Sequence, residues 1–228
     1  MEIDYKAVIT GDIINSTSYD LNTRKLIREL LMTEISSKLK NSFGKELIPL
    51  PIDVFRGDSW QLIINNPSIS LRVCLFIRCL LKIKLTSNKI NTRMSIGFGN
   101  ASVPEEKVSL GDGDAYIFSG KGLDSIGNNR INLIIKFGIN DLNSIKSVNY
   151  CVSSLPSILS LIDFISSNWT YKQSMAILGK LQNKTLIEIS KDWFGSSINS
   201  ATVTRHLSKA GWESIFESLN FFEKLLNN

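Results

Sequence analysis

Apolar positions along the chain change their period several times, and each change marks an element. Residues 5–10 are apolar and β-branched up to a Gly-Asp break, which predicts a first strand. Over residues 21–40, Leu26, Ile27, Leu30, Leu31, Ile35 and Leu39 keep a stripe at spacings of three and four, the signature of a helix. After Pro49 and Pro51, the short apolar runs 52–55 and 60–64 flank Arg56-Gly57-Asp58-Ser59, which predicts a hairpin with glycine and aspartate at its turn. Asn66-Pro67-Ser68 precedes the most apolar stretch, residues 71–85. That stretch carries Arg72, Arg78, Lys82 and Lys84 and is too short to cross a bilayer, so it predicts a buried core helix. A strand at 92–98 ends at Gly99. Gly111-Asp112-Gly113-Asp114 opens a short helix through residue 123, and 131–137 reads as a further strand.

The order strand, helix, hairpin, helix, strand, helix, strand predicts an α/β (α+β) domain. Its expected form is a mixed sheet with helices packed on one face, the ferredoxin-like arrangement and its elaborations. A helix at 155–165 and the Ser166-Ser167-Asn168 break set the expected boundary, with an α/β domain over residues 1–166 and an all-α domain over 167–228. In the second part, residues 169–181 form a helix anchored by Met175, Leu178 and Leu181. Residues 185–194 form another, capped by Thr185, with Leu186, Ile189 and Trp193 inward. Gly195-Ser196-Ser197 makes a turn into a third helix at 198–207, and an amphipathic helix covers 214–226.

Composition narrows the function classes only a little. Hydrophobic residues make up 43% and charged residues 21%, an ordinary globular composition, and the formal net charge of +5 is compatible with a polyanionic partner without requiring one. Cys74, Cys79 and Cys151 have no paired spacing and read as small buried hydrophobes in a reducing compartment. His206, the only histidine, excludes a histidine-based metal cage. The first residues lack a basic-plus-apolar signal pattern, so a cytoplasmic protein is expected. The adhesion-like Arg56-Gly57-Asp58-Ser59 is then a chance match.

Two segments carry candidate chemistry. Asp12, in Ile9-Thr10-Gly11-Asp12-Ile13-Ile14-Asn15-Ser16-Thr17, and Asp58, in Phe55-Arg56-Gly57-Asp58-Ser59-Trp60, both fall at strand ends. Beside each other in one sheet, they project from the same edge. Converging carboxylates suit a hard cation, Mg²⁺ or Mn²⁺, carrying a triphosphate. The backbone N–H groups of Ile14, Asn15, Ser16 and Thr17 are then placed to hold phosphate oxygens. Each aspartate, taken singly, reads first as a turn residue, and it is the two together, in matching surroundings, that point to a site.

Those two segments, with Arg93-Met94-Ser95-Ile96-Gly97-Phe98-Gly99, resemble the class III nucleotidyl cyclase catalytic domain in order and spacing over about the first 140 residues. The whole chain resembles the SatD-type bacterial proteins, which pair such a domain with a C-terminal helix-turn-helix. The resemblance implies that Asp12 and Asp58 are metal ligands and that the Ile13 carbonyl is a third contact. The chain departs from active cyclases where an asparagine and an arginine stabilise the transition state. Ile117 and Lys121 stand there, and lysine lacks the planar fork of arginine. Val54 and Leu110 stand at the base-selecting positions. The implied outcome is a domain that binds a nucleotide or related phosphorylated ligand without efficient cyclisation, with Lys121 as a phosphate contact. Asp114, Ser119, Lys121 and Asp124 are read either as a separate lining or as a solvated helix.

In the third C-terminal helix, small polar residues alternate with core positions Val203 and Leu207, which resembles the recognition helix of bacterial regulators. Ser200, Thr202, Thr204 and Arg205 are the candidate contacts to double-stranded DNA, with Lys209 on the backbone. The turn before it is two or three residues longer than the minimal motif. A plain helical bundle for dimerisation or docking is the alternative. The expected protein is a DNA-binding regulator, a homodimer biased by a metal-nucleotide. The competing readings are a divergent nucleotidyl cyclase or transferase using Asp12 and Asp58 in two-metal catalysis, and an interaction scaffold with vestigial sites.

Overall fold

The computed structural model describes residues 5–55, 57–85, 90–127, 131–137, 149–193 and 196–227. Arg56 of the hairpin turn, Phe194 and Gly195 of the C-terminal turn, and the stretch 138–148 lie outside the described residues, as does the Cys151 side chain.

Five strands form one mixed sheet: β1 (Tyr5–Ile13), β2 (Asp53–Phe55), β3 (Ser59–Ile64), β4 (Thr92–Asn100) and β5 (Leu133–Lys136), in the order β2-β3-β1-β4-β5. β1 runs antiparallel to both β3 and β4, β2 is antiparallel to β3, and β5 joins β4 in parallel. The four antiparallel strands thus have the ferredoxin-like order, extended by β5 through a helical crossover.

The helices of this part are α1 (Leu21–Leu30), α2 (Ser36–Phe43), α3 (Ser70–Lys84) and α4 (Asp114–Ile126). A π turn, Leu31–Ile35, carries α1 directly into α2, so the single predicted helix has an offset in it. Asp20 caps α1 by accepting from the Thr23 N–H at 2.8 Å. α1 to α3 cover one face of the sheet, where Ala7, Ile9 and Ile13 meet Ile27, Leu31, Ile35 and Phe76. α4 lies across the other face, over Val8, Ile63, Ala101 and Val108. Packing on one face was therefore only half of the arrangement. The residues that admit α4 are small: a Cβ on Gly97 would overlap the Ala115 carbonyl and the Ser119 nitrogen, and one on Gly122 would overlap the Ser95 hydroxyl. Thr10 and Ser119 close this seam with a hydroxyl pair at 2.7 Å.

Among the described residues five more helices follow: α5 (Asn149–Ser167), α6 (Tyr171–Leu181), α7 (Leu186–Lys191), α8 (Ser200–Lys209) and α9 (Trp212–Asn227). Thr170 with Gln173, and Thr185 with Glu188, form capping boxes that fix the starts of α6 and α7. The expected boundary at Ser166-Ser167-Asn168 falls where α5 ends, and the hydrophobic core runs on across it. α6 and α9 pack against α3 on the side away from the sheet. That sandwich explains why α3 is buried all round over its middle, with Leu71 and the whole run Val73 to Leu81 inside. Cys74 and Cys79 lie inside it as free thiols, and burial pushes both well above the ordinary thiol range. Arg72 reaches Glu223 on α9 at 2.7 Å, and Phe98 of β4 lies 6.3 Å from Phe222 of α9. No helix among the described residues is long and apolar enough to cross a membrane.

Candidate functional sites

β1 continues through the expected break at Gly11-Asp12 and ends one pair beyond it, at Ile13. Gly11 permits this because the Trp60 indole occupies the space a Cβ would need. Asp12 permits it because its register partner on β4 is Arg93. Arg93 Nε donates to Asp12 Oδ1 at 2.8 Å and Nη2 donates to Oδ2 at 2.5 Å, a bidentate fork. Its remaining nitrogen, Nη1, donates to the Gly127 carbonyl at the C-terminal end of α4, 2.8 Å away. The Asp12 hydrogen bonds hold the Arg93 guanidinium above its usual range against a smaller opposing effect of burial, and Asp58 adds to the attraction.

Asp58 sits in the turn of the β2–β3 hairpin, where its Oδ2 accepts from the Ser16 hydroxyl at 2.5 Å. That bond ties the segment after β1 to the hairpin. Ile14 spends its N–H on the Asn91 carbonyl at 3.0 Å, so it is not a phosphate donor in this arrangement. Asn15 turns the chain in the left-handed region, and Ser16 and Thr17 begin a single 3₁₀ turn. Ile13 itself is buried, and pairs with Thr92 in the sheet. The structure thus brings Asp12, Ser16 and Asp58 to one edge and adds Arg93, which enters the sequence argument only as the first residue of a strand motif.

The same edge contains two further arginines that the sequence reading passed over. Arg24 and Arg28 stand four apart on α1 and line a crevice with Ser16, Val54, Gly57 and Asp58. Arg28 makes a long 3.4 Å hydrogen bond to the Val54 carbonyl, and the Arg24 guanidinium makes none with the described residues. Their i, i+4 spacing was readable as a basic face, but nothing in the sequence says that this face borders the hairpin turn.

A two-carboxylate cation site does not fit this arrangement. Both oxygens of Asp12 accept from Arg93, and one oxygen of Asp58 accepts from Ser16. Among the described residues no group of three or more His, Cys, Asp or Glu converges in a way that suits a metal. Lys121 lies on the outward face of α4 with Ile117 and Asp124, while Ser119 points inward to Thr10, so Asp114, Ser119, Lys121 and Asp124 do not form one lining.

The second candidate site is α8. Val203 and Leu207 bury its inner face, and Asn199 caps it by accepting from the Ala201 N–H at 2.8 Å. Its packing partners are α6, α7 and α9. Thr204, Arg205 and Lys209 are exposed, and Ser200 and Thr202 are half-buried at its first turn. Residues 192–199 separate α7 from α8, a turn several residues longer than the three or four of a minimal motif. His206 stacks on Trp193 with ring centroids 5.5 Å apart. Burial, then the charges of Lys172, Lys209 and Arg205, hold this histidine below its ordinary range.

The model of the SatD family matches residues 5–214. No curated protein and no solved structure matches the chain.

Proposed function

The chain belongs to the SatD family, and from that premise we propose that it is a DNA-binding regulatory protein whose α/β part binds a phosphorylated ligand. The observation that carries the proposal is the outer face of α8. Thr204, Arg205 and Lys209 are exposed on a capped helix whose inner face is anchored by Val203 and Leu207. Short side chains let a helix approach the major groove closely, and arginine and lysine supply base and phosphate contacts. The three successive helices α6, α7 and α8 support reading residues 167–228 as a helix-turn-helix. The strand order β2-β3-β1-β4-β5 supports reading residues 1–166 as nucleotidyl-cyclase-like. A homodimer that presents two copies of α8 about 34 Å apart would match successive turns of one DNA face.

Binding of the full-length protein to random-sequence duplex DNA, followed by fluorescence anisotropy over a series of salt concentrations, tests the proposal. The affinity should fall steeply with salt. Enrichment from a random-sequence pool should then return a two-fold symmetric site. No binding at 50 mM salt would instead make the α6–α9 unit a docking element alone.

A further inference from the structure

The β1 edge has the charges of a phosphate site but not the free carboxylates of a metal-phosphate site. We infer that Arg93 stands where a divalent cation would, so that this edge takes its ligand as a metal-free phosphomonoester held by the guanidinium groups of Arg24 and Arg28 and by the backbone N–H of Ser16, whose hydroxyl stays on Asp58. The inference rests on the phosphorylated-ligand reading above and narrows it to one chemical class.

Charge decides the matter first. Asp12 is neutralised by the Arg93 fork, and that leaves Asp58 as the one uncompensated carboxylate against Arg24 and Arg28 around the crevice. The balance favours an anion. A metal-triphosphate arrives with its own cation, which needs open carboxylate oxygens to settle on. Here both Asp12 oxygens are already accepting hydrogen bonds. A phosphomonoester needs no such partner: it carries a charge of about −1.5 to −2 at neutral pH, and guanidinium forks match its oxygens in pairs.

Arg93 is also braced from a second direction. Its third nitrogen donates to Gly127 at the end of α4, so releasing Asp12 to a cation means breaking contacts on two elements. Size points the same way. The crevice encloses about 10 Å³, room for a single oxygen-sized group, so the phosphate is gripped at its mouth and the rest of the ligand stays outside. Arg24, with no partner among the described residues, is the side chain free to turn onto it.

Thermal shift of the full-length protein tests this with inorganic phosphate, the four ribonucleoside 5′-monophosphates and the corresponding triphosphates, each in EDTA and in Mg²⁺. The expected result is a rise in Tm with a phosphomonoester that is the same in both buffers. Arg24→Gln should weaken that binding on the order of tenfold, the loss of one charge-assisted contact. Arg93→Gln, which frees Asp12, should make triphosphate binding appear in Mg²⁺ and vanish in EDTA. A wild-type shift seen only with Mg²⁺ overturns the inference and leaves the phosphate site standing. No shift with any compound in either buffer overturns the phosphate site itself. Should Arg93→Gln fail to fold, the wild-type and Arg24→Gln comparisons decide the question alone.

Discussion

Arg78, in the middle of α3, meets Asp163 of α5 at 2.8 Å with both side chains sealed from solvent, 1% and 4% exposed. Asp163 Oδ2 also accepts the Asn132 N–H at 2.7 Å, and Arg78 donates to the Ser166 hydroxyl. One ion pair therefore fastens the central helix, the approach to β5 and the end of α5. Removing a single partner strands the other charge in the interior. Asp163→Asn should cost about 3–5 kcal/mol in denaturant-monitored unfolding, whereas Arg78→Met combined with Asp163→Leu should recover much of that loss. Equal losses in the single and double variants would refute the pairing.

Gly97 gives a second test. Because α4 sits on the bare backbone of β4 at this point, Gly97→Ala forces the helix outward at its Ala115–Ser119 turn. Overpacking of this kind typically costs about 1–3 kcal/mol, and the effect here should be at the upper end, since the obstacle is backbone. The hydroxyl pair between Thr10 and Ser119 would lengthen as well. Loss of Tm is the readout, and an unchanged Tm would show that α4 is not seated as described.

On α8, the two basic residues should separate by what they lose on DNA. Lys209→Gln should weaken binding to all sequences alike and reduce the salt slope by about one unit. Arg205→Gln should cost about 1–3 kcal/mol and relax the preference at one base position, if it reads an edge. Binding curves for the selected and random duplexes, side by side, distinguish the two. Identical behaviour of the variants would assign both residues to the phosphate backbone.

His206 gives stability a dependence on pH. Its folded form is held below the ordinary histidine value by burial and by Lys172, Lys209 and Arg205, so the unfolded chain takes up the proton first. Stability should be full above the ordinary value and fall as pH drops through it. Carboxylates contribute to the same curve, so the quantity to measure is the difference between wild type and His206→Gln from pH 7.5 downward. That difference should narrow with acidification, and a constant offset would contradict the shift.

Much of the fold was legible in the sequence because its signals are local. The alternation of strand and helix patterns, the hairpin around Gly57-Asp58, the buried core helix α3 and the Thr185 cap all appear in the structure. What was not legible depends on register. Nothing in the segment 9–17 reveals that Asp12 faces Arg93, since the partners are 81 residues apart and only the β1–β4 pairing aligns them. The expected strand break at Gly11 failed for the same reason: Trp60 on a neighbouring strand fills the space that made the glycine look like a turn. The placement of α4 on the opposite face was hidden in Gly97 and Gly122, whose meaning is a close approach of two backbones rather than flexibility. α5 starts at Asn149, ahead of the expected start at 155, so Pro156 lies inside it rather than at its first turn.

The double burial of α3 sets a rule for how this architecture can vary. A helix whose whole circumference is interior has no side that answers to only one neighbour, so its sequence is a joint inheritance of the sheet before it and the helices after it. The C-terminal helices cannot be exchanged for those of an unrelated protein by cutting at Ser166-Ser167-Asn168, because the foreign helices would have to fit the surface that α6 and α9 now cover. Chimeras should succeed only when α3 travels with its C-terminal partners. Lineages of such proteins should drift as whole chains rather than by shuffling their halves.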